Sequence, residues 1–294
     1  KPMAHLNGRN LDYDAVLILS FGGPEAPEDV LPFLQNVTRG REVPESRLLE
    51  VADHYQAFGG VSPINGQNRE IVRHLSEELQ VRGLELPVML GNRNWHPYLK
   101  DTLTNAVNRG HSSLLVVVTS AFSSYSGCRQ YLEDIERAVQ AIDSRHPLRI
   151  EKIRPFYNSA GFIEALQDNL RETLETFAGT PSEEVQVLFS AHSIPLSMAT
   201  NCEYEAQLRD ACSLVMEKFD NYPSQLAFQS RSGSAAKPWL EPDICDVIDG
   251  SNYANIVVCP IGFVSDHMEV LFDLDLEAKN ACEMRDIKFA RVAA

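Results

Sequence analysis

Two segments of the sequence carry side chains able to bind a metal ion and to accept protons. The first, residues 191–195 (AHSIP), follows an apolar run and contains His192. A neutral imidazole binds borderline metals such as Fe2+, or takes a proton near neutral pH, because its unperturbed pKa is about 6.5. A lone histidine after a strand is also a common hydrogen-bonded structural residue, so His192 by itself leaves both interpretations open.

The second segment, residues 262–277, repeats a carboxylate every four residues at Glu269, Asp273 and Glu277. On a helix this spacing stacks the three carboxylates on one face with no cation among them. Such a row is either a solvated face or a ladder that conducts hydrated cations and accepts protons. Asp266 and Asp275 lie off the row.

A histidine opposite a carboxylate combines two kinds of chemistry. Mixed nitrogen and oxygen ligation suits Fe2+ without closing its coordination shell, and the same groups can receive protons. A closed cage of four ligands would hold the metal too tightly to release it. The pattern therefore favours transfer of a metal ion over its storage.

The composition excludes several classes of protein. The formal net charge of −15 disfavours a nucleic-acid partner, since Lys and Arg dominate binding to phosphates. No apolar run approaches the roughly 20 residues that cross a bilayer, and the first residues show no export or import pattern, so we expect a cytoplasmic protein without a membrane span. The six cysteines include no CxxC pair, and we interpret most of them as reduced and buried.

Short apolar runs alternate with helical patterns along the whole chain, which predicts an α/β fold. Strands are expected at 15–20, 87–91, 114–119, 149–154, 185–190, 225–229, 255–261 and 288–292. Helices are expected at 28–36, 68–82, 99–109, 128–144, 159–177 and 203–219. The alternation predicts two Rossmann-like lobes, residues 1–147 and 148–294, each a parallel sheet flanked by helices, with a cleft between them. Ligands of such sheets bind at the carboxyl ends of the strands, and no Gly-rich phosphate loop is present.

Seven segments in order resemble the ferrochelatase family over nearly the whole chain, nearest to the actinobacterial-type coproporphyrin III enzymes. They are residues 19–24 (LSFGGP), 38–41 (TRGR), 54–63 (HYQAFGGVSP), 190–195 (SAHSIP), 229–233 (QSRSG), 239–243 (WLEPD) and 262–269 (GFVSDHME). The resemblance implies a chelatase-like enzyme of haem biosynthesis that inserts Fe2+ into a porphyrin held between the lobes, with no cofactor beyond the substrate metal.

The same resemblance implies roles for individual residues. His192 and Glu269 occupy the metal and catalytic positions, and Asp273 and Glu277 extend the acidic row. A macrocycle also needs an apolar slot with cationic or hydroxyl groups at its rim. The candidates for contacting the porphyrin are Phe21, Arg39, Arg41, His54, Tyr55, Ser62, Tyr131 and Arg231, although each could separately be an ordinary surface residue.

Three features depart from the family pattern. Phe21 stands where some bacterial relatives have tyrosine, and a phenyl ring cannot ligate iron. Cys128 matches a cysteine that helps to bind a [2Fe-2S] cluster in actinobacterial relatives, but only Cys282 lies near the end of this sequence, so we expect a free thiol and no cluster. Relatives usually continue through another helix after the position of residue 294, so either apolar surface is left uncovered at the end of the second lobe or the sequence is truncated there.

Alternatives to this hypothesis stay open at the level of sequence. A non-catalytic carrier of tetrapyrroles or metals, built on the same two-lobed scaffold, would bind without turnover. A related cobalt or nickel chelatase would differ in its metal preference. Coproporphyrin III is favoured over protoporphyrin IX as the substrate, because the nearest resemblance is to actinobacterial-type enzymes and four propionates would use the available arginines. A monomer is favoured.

Overall fold

The computed structural model describes residues 5–6, 9–10, 12–142, 147–232 and 236–294. The chain divides into two compact units, residues 1–119 with 130–154 and residues 120–129 with 155–294. Each unit contains one four-stranded sheet in which all neighbouring strands are parallel. The predicted α/β class, with two parallel sheets flanked by helices, is confirmed. Among the described residues, no helix is both long enough and apolar enough to cross a membrane.

The first unit contains the sheet with strand order β4-β3-β5-β6 and a separate antiparallel pair, β1 and β2. Its strands are β1 (His5–Leu6), β2 (Arg9–Asn10), β3 (Ala15–Ser20), β4 (Val88–Asn92), β5 (Ser113–Val118) and β6 (Arg149–Lys152). Its helices are α1 (Val30–Val37), α2 (Glu45–Ala57), α3 (Ile64–Val81), α4 (Leu99–Asn108) and the part of α5 (Tyr125–Gln140) that begins at Gln130.

The second unit contains the sheet with strand order β10-β9-β7-β8. Its strands are β7 (Val185–His192), β8 (Ser224–Gln229), β9 (Asn255–Cys259) and β10 (Lys288–Arg291). Its helices are α6 (Ala160–Leu174), α7 (Leu196–Ala199), α8 (Tyr204–Met216), α9 (Ile244–Asp249), α10 (Met268–Val270), a π-helix (Leu271–Ala278) and α11 (Lys279–Met284).

Strand β7 shows why the second sheet is parallel and central. Val187 and Phe189 pack into one hydrophobic cluster, while Leu188, which points to the opposite face, packs into another. Both faces of the strand are therefore covered, which explains its continuous apolar sequence. The end of β7 and the residues that follow it therefore lie at the edge of the sheet where ligands bind.

Strand β6 and helix α2 are two of the elements that differ from the sequence predictions. The strand at 149–154 is predicted to open the second lobe, but β6 pairs with β5 at the edge of the first sheet, with Ile150 opposite Leu114. An edge strand of alternating exposed and half-buried residues carries no pattern that identifies its sheet. Helix α2 is absent from the predictions, because it buries no residue fully and so lacks a strong apolar stripe.

Candidate active site

His192 is the last residue of β7, and the seven residues before it are buried. Its side chain is 36% exposed. The backbone at Gly262 lies close to β7, since a Cβ at residue 262 would be 2.6 Å from the Cβ of Ala191. His192 therefore lies at the carboxyl end of a central parallel strand, as the sequence predicts.

The hydrogen bonds of His192 determine which ring nitrogen is available for chemistry. Nδ1 contacts the backbone oxygen of Ser193, so Nδ1 carries a hydrogen in either protonation state. Nε2 points instead to Glu269, with 3.5 Å between Nε2 and Oε1. The buried Tyr204 hydroxyl donates to the backbone oxygen of His192 at 2.8 Å and holds the end of the strand. Neutral His192 would therefore present a lone pair on Nε2, the atom that faces Glu269.

Glu269 lies in the short helix α10, whose start is capped by a second histidine. The Nδ1 atom of His267 accepts a hydrogen bond from the backbone nitrogen of Glu269 at 3.1 Å. The Nε2 atom of the same ring lies 4.0 Å from the other carboxylate oxygen, Oε2. Burial lowers the pKa of His267, and it stays neutral with its hydrogen on Nε2. The sequence did not single out His267, although its place two residues before Glu269 suits a cap.

The two groups of the pair shift each other's protonation in opposite directions. Partial burial works against a charged His192, but the attraction of the Glu269 carboxylate outweighs it and raises the pKa of His192. Burial also opposes a charged Glu269, and the His192 charge overcomes it and lowers the pKa of Glu269. At neutral pH the pair is therefore an imidazolium and a carboxylate. Because the side chains are 36% and 49% exposed, water screens the pair, and its contribution to folding is about 0–1 kcal/mol.

The acidic row continues from Glu269 into a π-helix, where the sequence had suggested an ordinary helix. Val270, Leu274 and Ala278 are buried in a hydrophobic cluster, while Glu269 and Glu277 are exposed. A four-residue spacing keeps side chains on one face in either type of helix, so periodicity could not distinguish them. π-Helical turns are rare and occur frequently at functional sites.

Asp273, the middle carboxylate of the row, is held by two residues that follow or end β8. The Ser230 hydroxyl donates to Oδ2, and Nε2 of Gln229 lies 3.3 Å from the same oxygen and 3.2 Å from the backbone oxygen of Glu269. Burial, followed by repulsion from Glu269 and Glu277, raises the pKa of Asp273 to about 6, although the Ser230 hydrogen bond opposes this. The sequence predictions did not include Gln229 and Ser230 as site residues. Their position at the carboxyl end of β8, next to β7, could have indicated both.

In the first unit, three predicted porphyrin contacts share two neighbours. Phe21 and Tyr55 pack edge-on against Phe33, with ring centroids 6.0 and 5.9 Å away. The Arg93 guanidinium lies 4.7 Å from the Tyr131 ring centroid and 5.9 Å from that of Phe21. The structure therefore brings Phe21, Tyr55 and Tyr131 into one aromatic and cationic neighbourhood, with Phe33 and Arg93 as members that the sequence did not identify.

The other predicted porphyrin contacts are more dispersed. Arg39 lines a cavity of about 540 Å³ in the first unit that Arg93 also lines. Ser62 is buried beside Gly23, where a Cβ would lie 2.8 Å from the Ser62 Cβ. Arg41 is exposed and His54 is half-buried on α2. Arg231 belongs to the second unit, where its guanidinium lies 3.9 Å from Glu241.

The fold and the site together define a class. The sirohydrochlorin chelatase SirB from Bacillus subtilis subspecies spizizenii, solved with cobalt, superposes with a TM-score of 0.52 at 12% identity, over 94% of this chain and 86% of that one. The protein thus has an α/β fold like that of this chelatase, and in it the imidazole that ends β7 faces a carboxylate of helix α10. The model of the family described as Ferrochelatase matches residues 13–294. The chain belongs to the ferrochelatase family.

Curated relatives agree with this assignment. The chain is 50% identical to a ferrochelatase of Rhodopirellula baltica, over 96% of this chain and 81% of that protein. It is 45% identical to a coproporphyrin III ferrochelatase of Streptomyces coelicolor, over 96% of this chain and 80% of the relative. The predicted activity is confirmed at this level: the protein is a metal-inserting lyase that acts on a porphyrin in haem biosynthesis.

Proposed function

We propose that the enzyme inserts Fe2+ into coproporphyrin III, with His192 and Glu269 as the pair that receives the metal and the pyrrole protons. The observation that carries the proposal is the opposition of His192 Nε2 and Glu269 Oε1 at 3.5 Å. One atom is a nitrogen base and the other a carboxylate oxygen, the mixed donor set that binds Fe2+ without enclosing it. The name of the Streptomyces coelicolor relative supports the choice of porphyrin.

The reaction exchanges one Fe2+ for two pyrrole N–H protons. Before the metal arrives, His192 is protonated on Nε2 and paired with Glu269. A dication next to the Glu269 carboxylate disfavours the imidazolium, so its Nε2 proton leaves as the metal approaches. The freed lone pair can then bind the metal or accept a pyrrole proton. Because the two groups titrate together, the roles belong to the pair.

Protons released at the pair need a route away from it, and the acidic row supports one. Asp273 exchanges protons near neutral pH, because its pKa is raised to about 6. Gln229 lies next to both acidic residues, since its Nε2 contacts the Asp273 carboxylate and the backbone oxygen of Glu269. Glu277 lies beyond Asp273 in the π-helix and is exposed. We therefore propose that protons pass from Glu269 through Asp273 to Glu277 and to water.

Porphyrin choice is tested by measuring the loss of porphyrin fluorescence anaerobically with Fe2+ and each porphyrin. Coproporphyrin III carries four propionates, and guanidinium groups pair strongly with carboxylates. Arg231, which belongs to the same unit as His192 and Glu269, is a cation proposed to meet one of them. We expect kcat/KM for coproporphyrin III to exceed that for protoporphyrin IX by about tenfold, which is the effect of one additional charge-assisted hydrogen bond. A preference for protoporphyrin IX would reject this substrate.

We also propose that the enzyme works without an iron–sulfur cluster. Cys282 is fully buried among the apolar residues of its cluster, and burial raises the pKa of its thiol to about 11. A [2Fe-2S] cluster needs four thiolate ligands, whereas among the described residues no three His, Cys, Asp or Glu side chains are grouped so as to hold a metal ion. Protein purified anaerobically is expected to contain no acid-labile sulfide, and stoichiometric sulfide would refute the proposal. The cytoplasmic location and the monomeric state stay predictions.

A further inference from the structure

Arg291, the last residue of β10, contacts the chain on both sides of Glu269. Its Nη2 donates to Asp275 Oδ2 at 2.9 Å, and its Nε also contacts that carboxylate. Its Nη1 donates to Asp266 Oδ1 at 2.5 Å. Asp266 precedes Glu269 in the loop, and Asp275 follows it in the π-helix. One guanidinium therefore ties together the two flanks of the segment that carries Glu269.

The three side chains are well shielded from water. Arg291 is 14% exposed, Asp266 16% and Asp275 31%. The planar guanidinium engages Asp275 through two nitrogens, a geometry that restricts orientation more than a single contact does. The backbone nitrogen of Ala294 donates to the same Asp266 oxygen at 3.1 Å, which adds a second tie to that carboxylate.

The pairing also separates the acidic residues of the segment into two sets. Asp266 and Asp275 are both paired with Arg291, whose single charge offsets one of theirs, whereas Glu269, Asp273 and Glu277 form the row that includes the partner of His192. The sequence showed that two acidic residues lie off the row, but not that one distant cation pairs with both. Negative charge is thus left on the row proposed to handle metal and protons.

We propose that Arg291 is a positioning residue for Glu269: by holding Asp266 and Asp275 it places the Glu269 carboxylate opposite His192. The proposal rests on the proposed function of that pair. Arg291 does not itself touch the pair. Its effect should therefore appear in turnover and in the mobility of residues 267–278, and not in porphyrin binding.

The test is Arg291→Lys, which keeps the charge but removes the planar fork. Zn2+ insertion into coproporphyrin III and hydrogen–deuterium exchange of the apo-enzyme are measured together. We expect kcat to fall about tenfold to a hundredfold, the usual effect of losing a group that orients a ligand. KM for the porphyrin should stay within about twofold, and the amides of residues 267–278 should exchange faster.

Lys279→Gln is the matched control, since it removes an exposed ion pair with Glu283 from the adjoining helix α11. It should leave all three quantities unchanged. If Arg291→Lys does not fold, the triple variant Arg291→Gln, Asp266→Asn, Asp275→Asn replaces the charges with neutral hydrogen-bonding groups. The same loss of kcat in that folded variant supports the proposal.

Three outcomes overturn the positioning role: wild-type kcat in the folded variant, wild-type exchange of residues 267–278, or a loss confined to porphyrin KM. Failure of the triple variant to fold also overturns it, because Arg291 would then be required for folding itself. A wild-type enzyme that inserts no metal would reject the proposed function instead. The exchange measurement needs no turnover, so the two failures are distinguishable.

Discussion

His192 Nε2 lies 3.5 Å from Glu269 Oε1, although one residue ends a β-strand and the other sits in a short helix beside a π-helix. Each charge stabilises the other, so the pair rests as an imidazolium and a carboxylate at neutral pH. A metal ion entering this site has to displace the Nε2 proton. Under the proposed function, metal binding and proton release are coupled at this pair of atoms.

Replacing His192 by alanine should abolish metal insertion without unfolding the enzyme. We expect kcat to fall by at least about 100-fold, the usual minimum for losing a proton-transfer group. The melting temperature should change little, because the screened pair contributes only about 0–1 kcal/mol. His74→Ala is the control, since His74 is 66% exposed and lies 3.9 Å from Glu70. Normal turnover by the His192 variant would contradict the assignment.

Glu269→Gln should release His192 from its partner. In the wild type the imidazole should titrate with a pKa of about 9. Without the carboxylate, burial becomes the dominant influence and favours the neutral ring, so the pKa should fall to about 6.5 or below. Proton and nitrogen NMR of the histidine ring measures both values. An unchanged His192 pKa in the variant would show that Glu269 is not its electrostatic partner.

The stability of the same variant should depend on pH in a defined window. The raised His192 pKa stabilises the folded state fully below pH 6.5, and this effect is lost as pH rises through about 9. The lowered Glu269 pKa stabilises it above pH 4.5, and this effect is lost as pH falls to about 2. The wild type should therefore exceed the variant most between pH 4.5 and 6.5, by no more than about 1 kcal/mol. Urea unfolding at pH 5.5 and 9.5 tests this.

Much of this candidate site was predictable, because parallel α/β sheets bind their ligands at the carboxyl ends of the strands. That rule, with the residue type, marked His192 as a candidate, and the four-residue spacing indicated the acidic row. That Glu269 faces His192 was predicted only through the family resemblance, since their approach depends on the pairing of β7 with β9 and on the loop after β9, which no local pattern shows. It also could not reveal a π-helix, because the carboxylate spacing fits both helix types.

The residues that sequence reasoning missed make contacts that no sequence motif marks. His267 caps a helix with a ring nitrogen, and Gln229 reaches the site through a backbone oxygen as well as a carboxylate. Arg93 lies between two aromatic rings that are far apart in the sequence. Each contact is set by tertiary packing, so no local pattern announces it. Strand β6 was misassigned for a similar reason, since edge strands carry weak apolar signals.

Asp273→Asn should stabilise the enzyme while slowing it. The folded protein holds the Asp273 proton more tightly than the unfolded chain does, because the pKa of Asp273 is raised from 3.8 to about 6. The stability that this proton contributes to the folded state is lost as pH rises through about 6. Asparagine carries no charge and can still accept from Ser230. We expect the variant to be more stable at pH 7.5 by at most about 3 kcal/mol, with little difference at pH 4. Urea unfolding at both pH values is the measurement.

The companion readout for this variant is kcat, which should fall because Asp273 can no longer relay protons. Glu283→Gln serves as the control, since Glu283 is 61% exposed. Its effect on stability should stay within about 0.5 kcal/mol. A variant that is less stable than the wild type at pH 7.5 would mean that burial does not raise the pKa of Asp273.

Gly262→Ala should damage both stability and turnover, because Gly262 has no room for a side chain. A Cβ there would lie 2.6 Å from the Ala191 Cβ and 2.8 Å from the Ala191 Cα, so backbone would have to move beside His192. We expect a loss of about 1–3 kcal/mol, the usual cost of overpacking, measured by urea unfolding, together with a lower kcat. Gly161→Ala is the matched control: Gly161 lies in the first turn of helix α6 and nothing lies within 4 Å of its added Cβ, so its stability should stay within about 0.5 kcal/mol of the wild type. If the two variants were equally stable, there would be room for a side chain at residue 262, and the close packing of Gly262 against β7 would not fix the position of His192.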